Sequence, residues 1–404
     1  QWANFALVGL SIAYVRFRMQ RPGLISETFR PLLGDRVDGT RGHLINILAV
    51  VSTVFGVATT LGLGVIQINS GLVSVSDVPF GANQQLMILA GISMIFLVCA
   101  LAPLESGVRY ISDVNMLLAG ALLVFVFFAG PTDFITAAMT NAIGDYFGNI
   151  MGMSLVMTPY TGDDWVERWT IFYWAWGLSW APFVGSFIAR ISRGRTIREF
   201  VMGVIGMPVL LSVLWFSTFG GSALYFELFE GAALGDAVVQ EMSSALFATL
   251  ALLPGAEIVS ILMLVLIILF VITSANSATF VLGMFTSKGV LTPSRWSRVT
   301  WGVIQVLVAG VLLLSGGLAA LQTISIVAAF PFMILMIFMA SSLLRSLRTE
   351  RRQRELHEAM TRERLLRLLD SSDHLGEPER PTEFDELREE LIEQVSREEP
   401  SRSE

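Results

Sequence analysis

Hydrophobic residues along this 404-residue chain fall into long runs instead of the short alternations of a half-buried sheet. A helix needs roughly 20 predominantly apolar residues to cross a bilayer, and we find eight runs near that length. They cover residues 45–68, 84–103, 114–131, 169–189, 200–219, 258–284, 299–316 and 323–344. Residues 1–14 form a shorter run that predicts part of a ninth span. The pattern therefore predicts an all-α polytopic membrane protein.

The composition agrees with this pattern, because 53% of the residues are hydrophobic, 15% are charged and the mean hydropathy is +0.64. The opening run lacks the basic start and small-residue cleavage site of a signal peptide. Since the chain opens on Gln1, we expect it to begin inside a helix of a longer protein. Cys99 lies in an apolar run and, as the single cysteine, predicts a small buried hydrophobe.

Arginine and lysine are confined to alternate loops, which predicts the orientation because basic residues are retained on the cytoplasmic side. Basic clusters occupy residues 16–41, 190–198 and 288–298, with Arg109 between them, whereas the opposite loops hold Arg168 alone. We therefore expect a multi-pass protein of the cell membrane with a cytoplasmic C-terminus. Residues 1–345 form the transmembrane domain and residues 346–404 a charged tail.

The tail divides into two parts of different character. Residues 345–369 alternate leucine and arginine, which is typical of an amphipathic helix that contacts membrane lipids. Residues 377–404 are acidic, contain proline and predict partial disorder.

Every ionisable residue can be placed in a loop, at the end of a span or in the tail. Ionisable groups inside spans are the usual parts of proton relays and of membrane-embedded hydrolases, so their absence argues against both. We expect no enzyme activity, no cofactor and no nucleic-acid partner. If the protein couples transport to an ion, hydroxyls and backbone carbonyls must hold that ion.

Hydroxyl residues that interrupt two aliphatic spans are the candidates for such an ion site. Thr273 and Ser274 stand beside Asn276 in one span, and Thr53, Thr59 and Thr60 lie in another. Several convergent oxygens suit a hard cation such as sodium. The alternative is structural, since serine and threonine in membrane helices most often bond to their own backbone or to a neighbouring helix.

The most informative segment is an aromatic stripe at helical spacing, formed by Trp169, Tyr173, Trp176, Trp180, Phe183 and Phe187. Aromatic faces attract a cation that has no hydrogen-bond donors. The alternatives are interfacial anchoring, which suits Trp169 at the outer end, and packing in the core or against lipid. Within the stripe, Gly177, Ala181 and Gly185 repeat every four residues, a pattern that lets helices approach closely. Pro182 should bend the helix.

Several segments together resemble the betaine/choline/carnitine transporter family: Trp169–Phe200, Thr53–Gly56, Leu61–Gly64, Trp215–Gly221 and Ile272–Ser277. The resemblance runs to about residue 345 and implies a LeuT-like transporter with two inverted repeats and a substrate site near the membrane midplane. Residues 45–131 would be the remainder of the first repeat, whose opening helix with its glycine-rich unwound segment is missing here. Residues 169–345 would be the second repeat.

The resemblance also implies a substrate site built from aromatic residues. Trp176 and Trp180 resemble walls of the central aromatic box, with Phe172 and Trp174 as supporting neighbours. Trp2 and Phe5 resemble aromatic positions of the family's fourth helix. Gly177 stands where betaine and choline carriers usually have another tryptophan, so one wall is missing and a substrate of different shape could fit.

Two cation sites are implied in the same way. The carbonyl of Phe270 with the hydroxyls of Thr273 and Ser274 resembles half of a sodium site. Thr53 and Phe183 resemble parts of a second one. Val57 stands where the sodium-coupled betaine carrier has a threonine, which puts two bound sodium ions in doubt.

These features lead us to expect sodium-coupled symport of a small zwitterionic or cationic solute, such as glycine betaine or a sulfonium analogue, in osmoprotection. A sodium-independent exchanger, or a carrier of choline, carnitine or ectoine, is the alternative within the class. A non-transporting sensor or truncated remnant is the alternative outside it. Residues 133–147 resemble the amphipathic element of trimer packing in the family, which leaves a homotrimer open.

Overall fold

A computed structural model describes residues 1–101, 107–162, 164–290 and 292–373, and every regular element among them is helical. Six of its helices are long and apolar enough to cross a membrane. These helices are Thr40–Val75, Ala82–Leu101, Tyr110–Ala129, Ile197–Glu230, Ala256–Thr286 and Arg295–Arg364. The prediction of an all-α polytopic membrane protein is confirmed.

The helices follow one another along the chain with short connections. Their bounds are α1 Trp2–Ala13, α2 Arg30–Leu33, α3 Thr40–Val75, α4 Ala82–Leu101, α5 Gly107–Ala129, α6 Thr132–Ser154, α7 Phe172–Ile191, α8 Ile197–Val201, α9 Met207–Glu230, α10 Leu234–Gln240, α11 Ala245–Leu250, α12 Ala256–Thr286 and α13 Arg295–Asp373. Short π-helical turns extend α1 at Tyr14–Arg18, precede α7 at Val166–Ile171 and join α8 to α9 at Met202–Gly206.

Two predicted spans are absent from those six as separate helices, each for a physical reason. Helix α7 is rich in tryptophan and tyrosine, whose polar N–H and O–H groups lower its mean hydropathy although its rings are large and apolar. The predicted spans 299–316 and 323–344 both lie in α13. They are separated at Gly316 and Gly317, where the backbone leaves the helical conformation and Gly317 adopts a φ of 55°.

One predicted span ends too early. Its predicted end is residue 219, whereas α9 continues to Glu230. The helix ends where Gly231 takes the left-handed conformation, with φ 65° and ψ 37°, a geometry that glycine adopts at helix C-termini. Gly221, two residues beyond the predicted end, is a buried residue within α9.

The described chain divides into two compact units, residues 1–343 and a second unit that begins at Leu344. The second unit is helical to Asp373 and carries exposed ion pairs at i,i+4 spacing, such as Arg351 with Glu355 at 2.8 Å. The predicted acidic segment 377–404 lies outside the described residues.

An ion-pair cluster orders the connection between α1 and α3. Arg30 donates two hydrogen bonds of 2.8 Å to the carboxylate of Glu27 and one of 2.6 Å to Asp38. These bonds hold the pKa of Asp38 below its usual value. Nearby, the hydroxyl of Ser342 donates to the backbone carbonyl of Thr28 at 2.6 Å, so this connection is fastened to the end of the last span.

Helices α1 and α7 run parallel and approach closely along the small residues of α7. A methyl group added at Gly185 would lie 2.7 Å from Cγ1 of Val8 and 3.0 Å from the backbone nitrogen of Gly9. Added at Gly9, it would lie 3.2 Å from the carbonyl oxygen of Gly185. The close approach that the spacing of Gly177, Ala181 and Gly185 predicts is therefore found between these two helices.

We expect Gly185→Ala to lower the midpoint of thermal unfolding, because the added methyl group must displace the backbone of α1. Overpacking of this kind typically costs about 1–3 kcal/mol. The matched control is Gly91→Ala on α4, where a methyl group would meet nothing within 4 Å. Equal midpoints for the two variants, measured in detergent, would contradict the close packing.

Candidate substrate site

The aromatic residues of α7 and the turn before it form a continuous ladder of ring contacts. Trp169 stacks on Tyr173, with ring centroids 5.9 Å apart and planes 1° apart. Edge contacts then join Tyr173 to Trp176 at 5.9 Å, Trp176 to Trp180 at 6.3 Å, and Trp180 to Phe183 at 5.6 Å. The predicted stripe is therefore confirmed as far as Phe183.

The other aromatic residues of this helix differ in their relation to the ladder. Phe172 is 2% exposed and stacks on Trp176 at 6.0 Å with planes 3° apart, as a supporting neighbour should. Trp174 is 53% exposed, because a residue two positions from Phe172 and from Trp176 points to the opposite side of a helix. Phe187 is 51% exposed. The structure thus brings Phe172 into the cluster and leaves Trp174 outside it.

A single threonine on α3 fixes the orientation of both central tryptophans. The indole nitrogens of Trp176 and Trp180 each donate a hydrogen bond of 3.0 Å to Oγ1 of Thr60. Thr60 in turn donates its own proton to the carbonyl oxygen of Gly56 at 3.0 Å, and Trp180 also approaches that carbonyl at 3.2 Å. The hydroxyl therefore uses both lone pairs and its proton.

These hydrogen bonds involve only the N–H edge of each indole ring. The N–H edges are held against α3, so neither ring needs a polar partner elsewhere. The sequence draws attention to Thr60 only as a polar interruption of a span. Its spacing of four residues from Gly56 predicts the bond to its own backbone, but nothing local predicts that two rings of a distant helix meet there.

Helix α1 lies along the same part of α7. Trp2 and Phe5 meet edge to face at 5.4 Å, and Phe5 is 6% exposed in the apolar cluster that also contains Ala181 and Phe183. The side chain of Gln1 donates to the carbonyl of Tyr173 at 3.0 Å. A methyl group at Gly177 would lie 2.8 Å from Cγ of Gln1, so the glycine provides room for α1 at this level.

The predicted sodium ligands of α12 lie close together. The hydroxyl of Thr273 donates to the carbonyl oxygens of Leu269 at 2.8 Å and Phe270 at 3.2 Å, and Ser274 follows it on the same half-buried turn. The bonds to the helix backbone match the structural alternative. They also leave the lone pairs of the Thr273 oxygen available to a cation. The side chain of Phe270 is 48% exposed, so only its carbonyl belongs to this group.

The level of these residues follows from how α12 packs on α3. A methyl group at Gly71 would lie 2.9 Å from Leu264, and Gly64 similarly meets Val271, so the two helices are antiparallel. Thr60 precedes Gly64 by four residues and Ala275 follows Val271 by four, so Thr60 and Ala275 lie at the same level. The sodium candidates are therefore at the depth of the hydroxyl that holds the tryptophans.

Fewer oxygens converge at the second predicted cation site. Thr53 is fully buried and donates to the carbonyl of Ala49 at 2.8 Å. Phe183 and Val57 are 6% and 1% exposed and belong to one apolar cluster with Ala49. The valine contributes no oxygen where a threonine would, which leaves this region more apolar than the α12 group.

No carboxylate lies in α7 or in the part of α3 that faces it, residues 45–68. No group of three or more histidine, cysteine, aspartate or glutamate residues in the described part of the chain could hold a metal ion. A membrane-embedded aromatic surface without countercharge suits a methylated cation, since such a cation has no N–H to donate. Fold and site define a membrane transporter for small solutes.

Comparison with known proteins gives the family. Residues 1–352 match the model of the betaine/carnitine/choline family transporters, and the chain belongs to this family. Its members are transporters, not enzymes, so the expectation that the chain is not an enzyme is also supported.

Individual relatives differ in their solutes. The chain is 48% identical over 365 residues to a glycine betaine transporter of Bacillus subtilis strain 168, covering 90% of this chain and 71% of the relative. It is 46% identical over 348 residues to an ectoine/hydroxyectoine transporter of Virgibacillus pantothenticus, covering 86% and 69%. It is 36% identical over 373 residues to a high-affinity choline transport protein of Escherichia coli strain K12, covering 91% and 55%.

We expect Thr60→Val to destabilise the protein, since it removes the acceptor of the Trp176 indole N–H and leaves the Trp180 N–H with the Gly56 carbonyl alone. An unsatisfied buried donor costs about 1–3 kcal/mol. Thr60→Ser keeps the hydroxyl and is the matched control. Thermal unfolding measures the loss, and ultraviolet resonance Raman spectroscopy of the indole N–H reports the broken bonds. Identical Raman spectra for the two variants would show that Thr60 does not hold the tryptophans.

Proposed function

We propose that this protein is a secondary active transporter that takes up a glycine betaine-like solute in osmoprotection. An aromatic site without a carboxylate suits the onium group of such a solute, because the group has no N–H to donate. The observation that carries the proposal is the pair of tryptophans whose polar edges are bound to Thr60. The solute's quaternary ammonium group would lie against their faces. Family membership and the glycine betaine transporter of Bacillus subtilis support the same solute class.

The strength of such binding suits transport. A desolvated cation–π contact contributes up to about 2 kcal/mol, so two or three rings give an affinity that still permits release. A carboxylate at this depth would bind a cation more tightly and would repel the carboxylate of a zwitterion. The aromatic surface therefore favours a solute that carries both charges.

Sodium is the proposed coupling ion. The oxygens of Phe270, Thr273 and Ser274 would provide part of its site at the depth of Thr60, and Thr53 with Phe183 would provide at most a weaker second one. Sodium bound on α12 would favour the conformation in which the aromatic site is formed, because a ligand stabilises the state to which it binds better.

Topology and assembly belong to the same proposal. The clusters of arginine at residues 16–41 and 190–198 would face the cytoplasm together with the C-terminal tail. The helical part of the tail would lie at the lipid surface. Helix α6, Thr132–Ser154, exposes large apolar side chains such as Phe147 and Met151, which would contact lipid or neighbouring copies in a homotrimer.

A cyclic solute such as ectoine is the second candidate. It is favoured by the ectoine/hydroxyectoine transporter of Virgibacillus pantothenticus, a relative at 46% identity. Competition of unlabelled ectoine, choline and glycine betaine against labelled glycine betaine distinguishes the candidates. The preferred solute should compete at the lowest concentration.

Trp180→Ala should raise the KM for glycine betaine uptake at least about tenfold, since it removes one aromatic face and its cation–π contact. Trp180→Phe should lose less, because it keeps a ring. The measurement is uptake into proteoliposomes by protein expressed from its complete reading frame. Trp296→Ala, a tryptophan that is 76% exposed, is the control. Unchanged uptake by Trp180→Ala would contradict the proposed substrate site.

Thr273→Val should weaken the dependence on sodium, because it removes one hydroxyl oxygen while keeping the shape of the side chain. We expect the sodium concentration for half-maximal uptake to rise several-fold, and uptake to stop when potassium replaces sodium. Thr323→Val is the matched control, because Thr323 makes the same kind of bond to its own helix, at 2.9 Å. Uptake that is indifferent to sodium would exclude symport and favour exchange.

A further inference from the structure

A second group of buried polar side chains lies apart from the aromatic site. Asn115, Asn276 and Gln305 are 3%, 3% and 0% exposed. Oδ1 of both asparagines, and both Oε1 and Nε2 of the glutamine, have no hydrogen-bond partner among the described residues. An unpaired buried amide atom costs about 1–3 kcal/mol, so these four atoms require partners of another kind.

The packing of α12 against the first part of α13 brings Asn276 and Gln305 to one level. A methyl group at Gly283 would lie 2.8 Å from Pro293, and one at Gly302 would lie 3.3 Å from Thr279. The two helices are therefore antiparallel. Asn276 precedes Thr279 by three residues and Gln305 follows Gly302 by three residues, so each lies about one turn beyond the contact.

Helix α4 reaches the same level. The methyl group at Gly302 would also lie 3.2 Å from the ring of Phe96, and one at Gly310 would lie 3.5 Å from Leu89. Ser93 lies between these two contacts and is 5% exposed. Its hydroxyl donates to the carbonyl of Leu89 at 2.5 Å, which leaves its oxygen able to accept a hydrogen bond.

Asn115 belongs to α5, which packs against α12. Its buried amide is a further polar group in the interior around α12. Three helices, α4, α12 and α13, thus contribute polar groups to one buried layer.

The chemistry of the unpaired atoms selects the ligand. Three of them are acceptors and one, Nε2 of Gln305, is a donor. A cation could satisfy the acceptors but not the donor, whereas water serves both and typically makes about three hydrogen bonds in a protein interior. We propose that Asn276 and Gln305 form an internal site for bound water that bridges α12 to α4 and α13.

This site would add water-mediated contacts to the direct packing of α12 in this region. A bridging water can exchange partners when one helix shifts against another. Neither Asn276 nor Gln305 belongs to the aromatic site or is one of the proposed sodium ligands, although Asn276 lies two residues from Ser274, so the inference does not depend on the identity of the solute. Its test requires no transport.

The test is X-ray hydroxyl-radical labelling of the purified protein, in which bound water labels the side chains beside it. Phe96 is 0% exposed and lies one turn from the predicted water, whereas Phe332, also 0% exposed, belongs to the other core cluster. We expect labelling of Phe96 but not of Phe332, and loss of the Phe96 label in Gln305→Leu. An unlabelled Phe96 would overturn the proposal.

The unfolding temperatures of Gln305→Leu and Gln305→Met provide an independent test. If water occupies the site, both variants should unfold at a lower temperature, because water and the remaining amides lose a partner. If the amides are unpaired, both should unfold at a higher temperature, and the proposal fails. The unfolding temperature is also compared in sodium and in potassium. If sodium raises it, and this effect is lost in Gln305→Leu but kept in Thr273→Val, the site binds a cation and the water proposal is overturned.

Discussion

Two indole N–H groups share one threonine hydroxyl, and the arrangement of the candidate substrate site depends on this contact. Tryptophan is useful for binding a methylated cation only if its face is available, yet its N–H must be satisfied when it is buried. Thr60 meets the second demand by accepting from Trp176 and Trp180 while donating to Gly56. One side chain of α3 therefore orients two rings of α7.

The glycines explain why three helices can gather around these rings. Gly9 and Gly185 let the backbones of α1 and α7 meet, and Gly56 places the backbone of α3 against Ser179. Large side chains at these positions would separate the helices and move Thr60 out of hydrogen-bond range. The energy of close packing thus maintains a polar contact that is specific in its geometry.

The sequence predicted much of this arrangement because the strongest signals are periodic. Apolar runs gave the spans, and helical spacing gave the ring ladder from Trp169 to Phe183 and the close approach at Gly185. Local sequence patterns did not predict features that depend on a distant contact or on an unusual backbone conformation. The end of α9 at Gly231 required the left-handed φ to be recognised, and the exposure of Trp174 required knowledge of which face α1 and α3 cover. The double acceptor Thr60 lies 116 residues from Trp176 and has no local signature.

The central claim is that positive charge, and not shape alone, is recognised by the aromatic faces. The most direct test compares binding of glycine betaine with binding of 3,3-dimethylbutanoate, in which an uncharged carbon replaces the quaternary nitrogen. The account predicts that this analogue, which keeps the carboxylate but has no positive charge, binds at least about tenfold more weakly, because it loses the cation–π attraction. Equal affinities, measured by calorimetry on the purified protein, would contradict it.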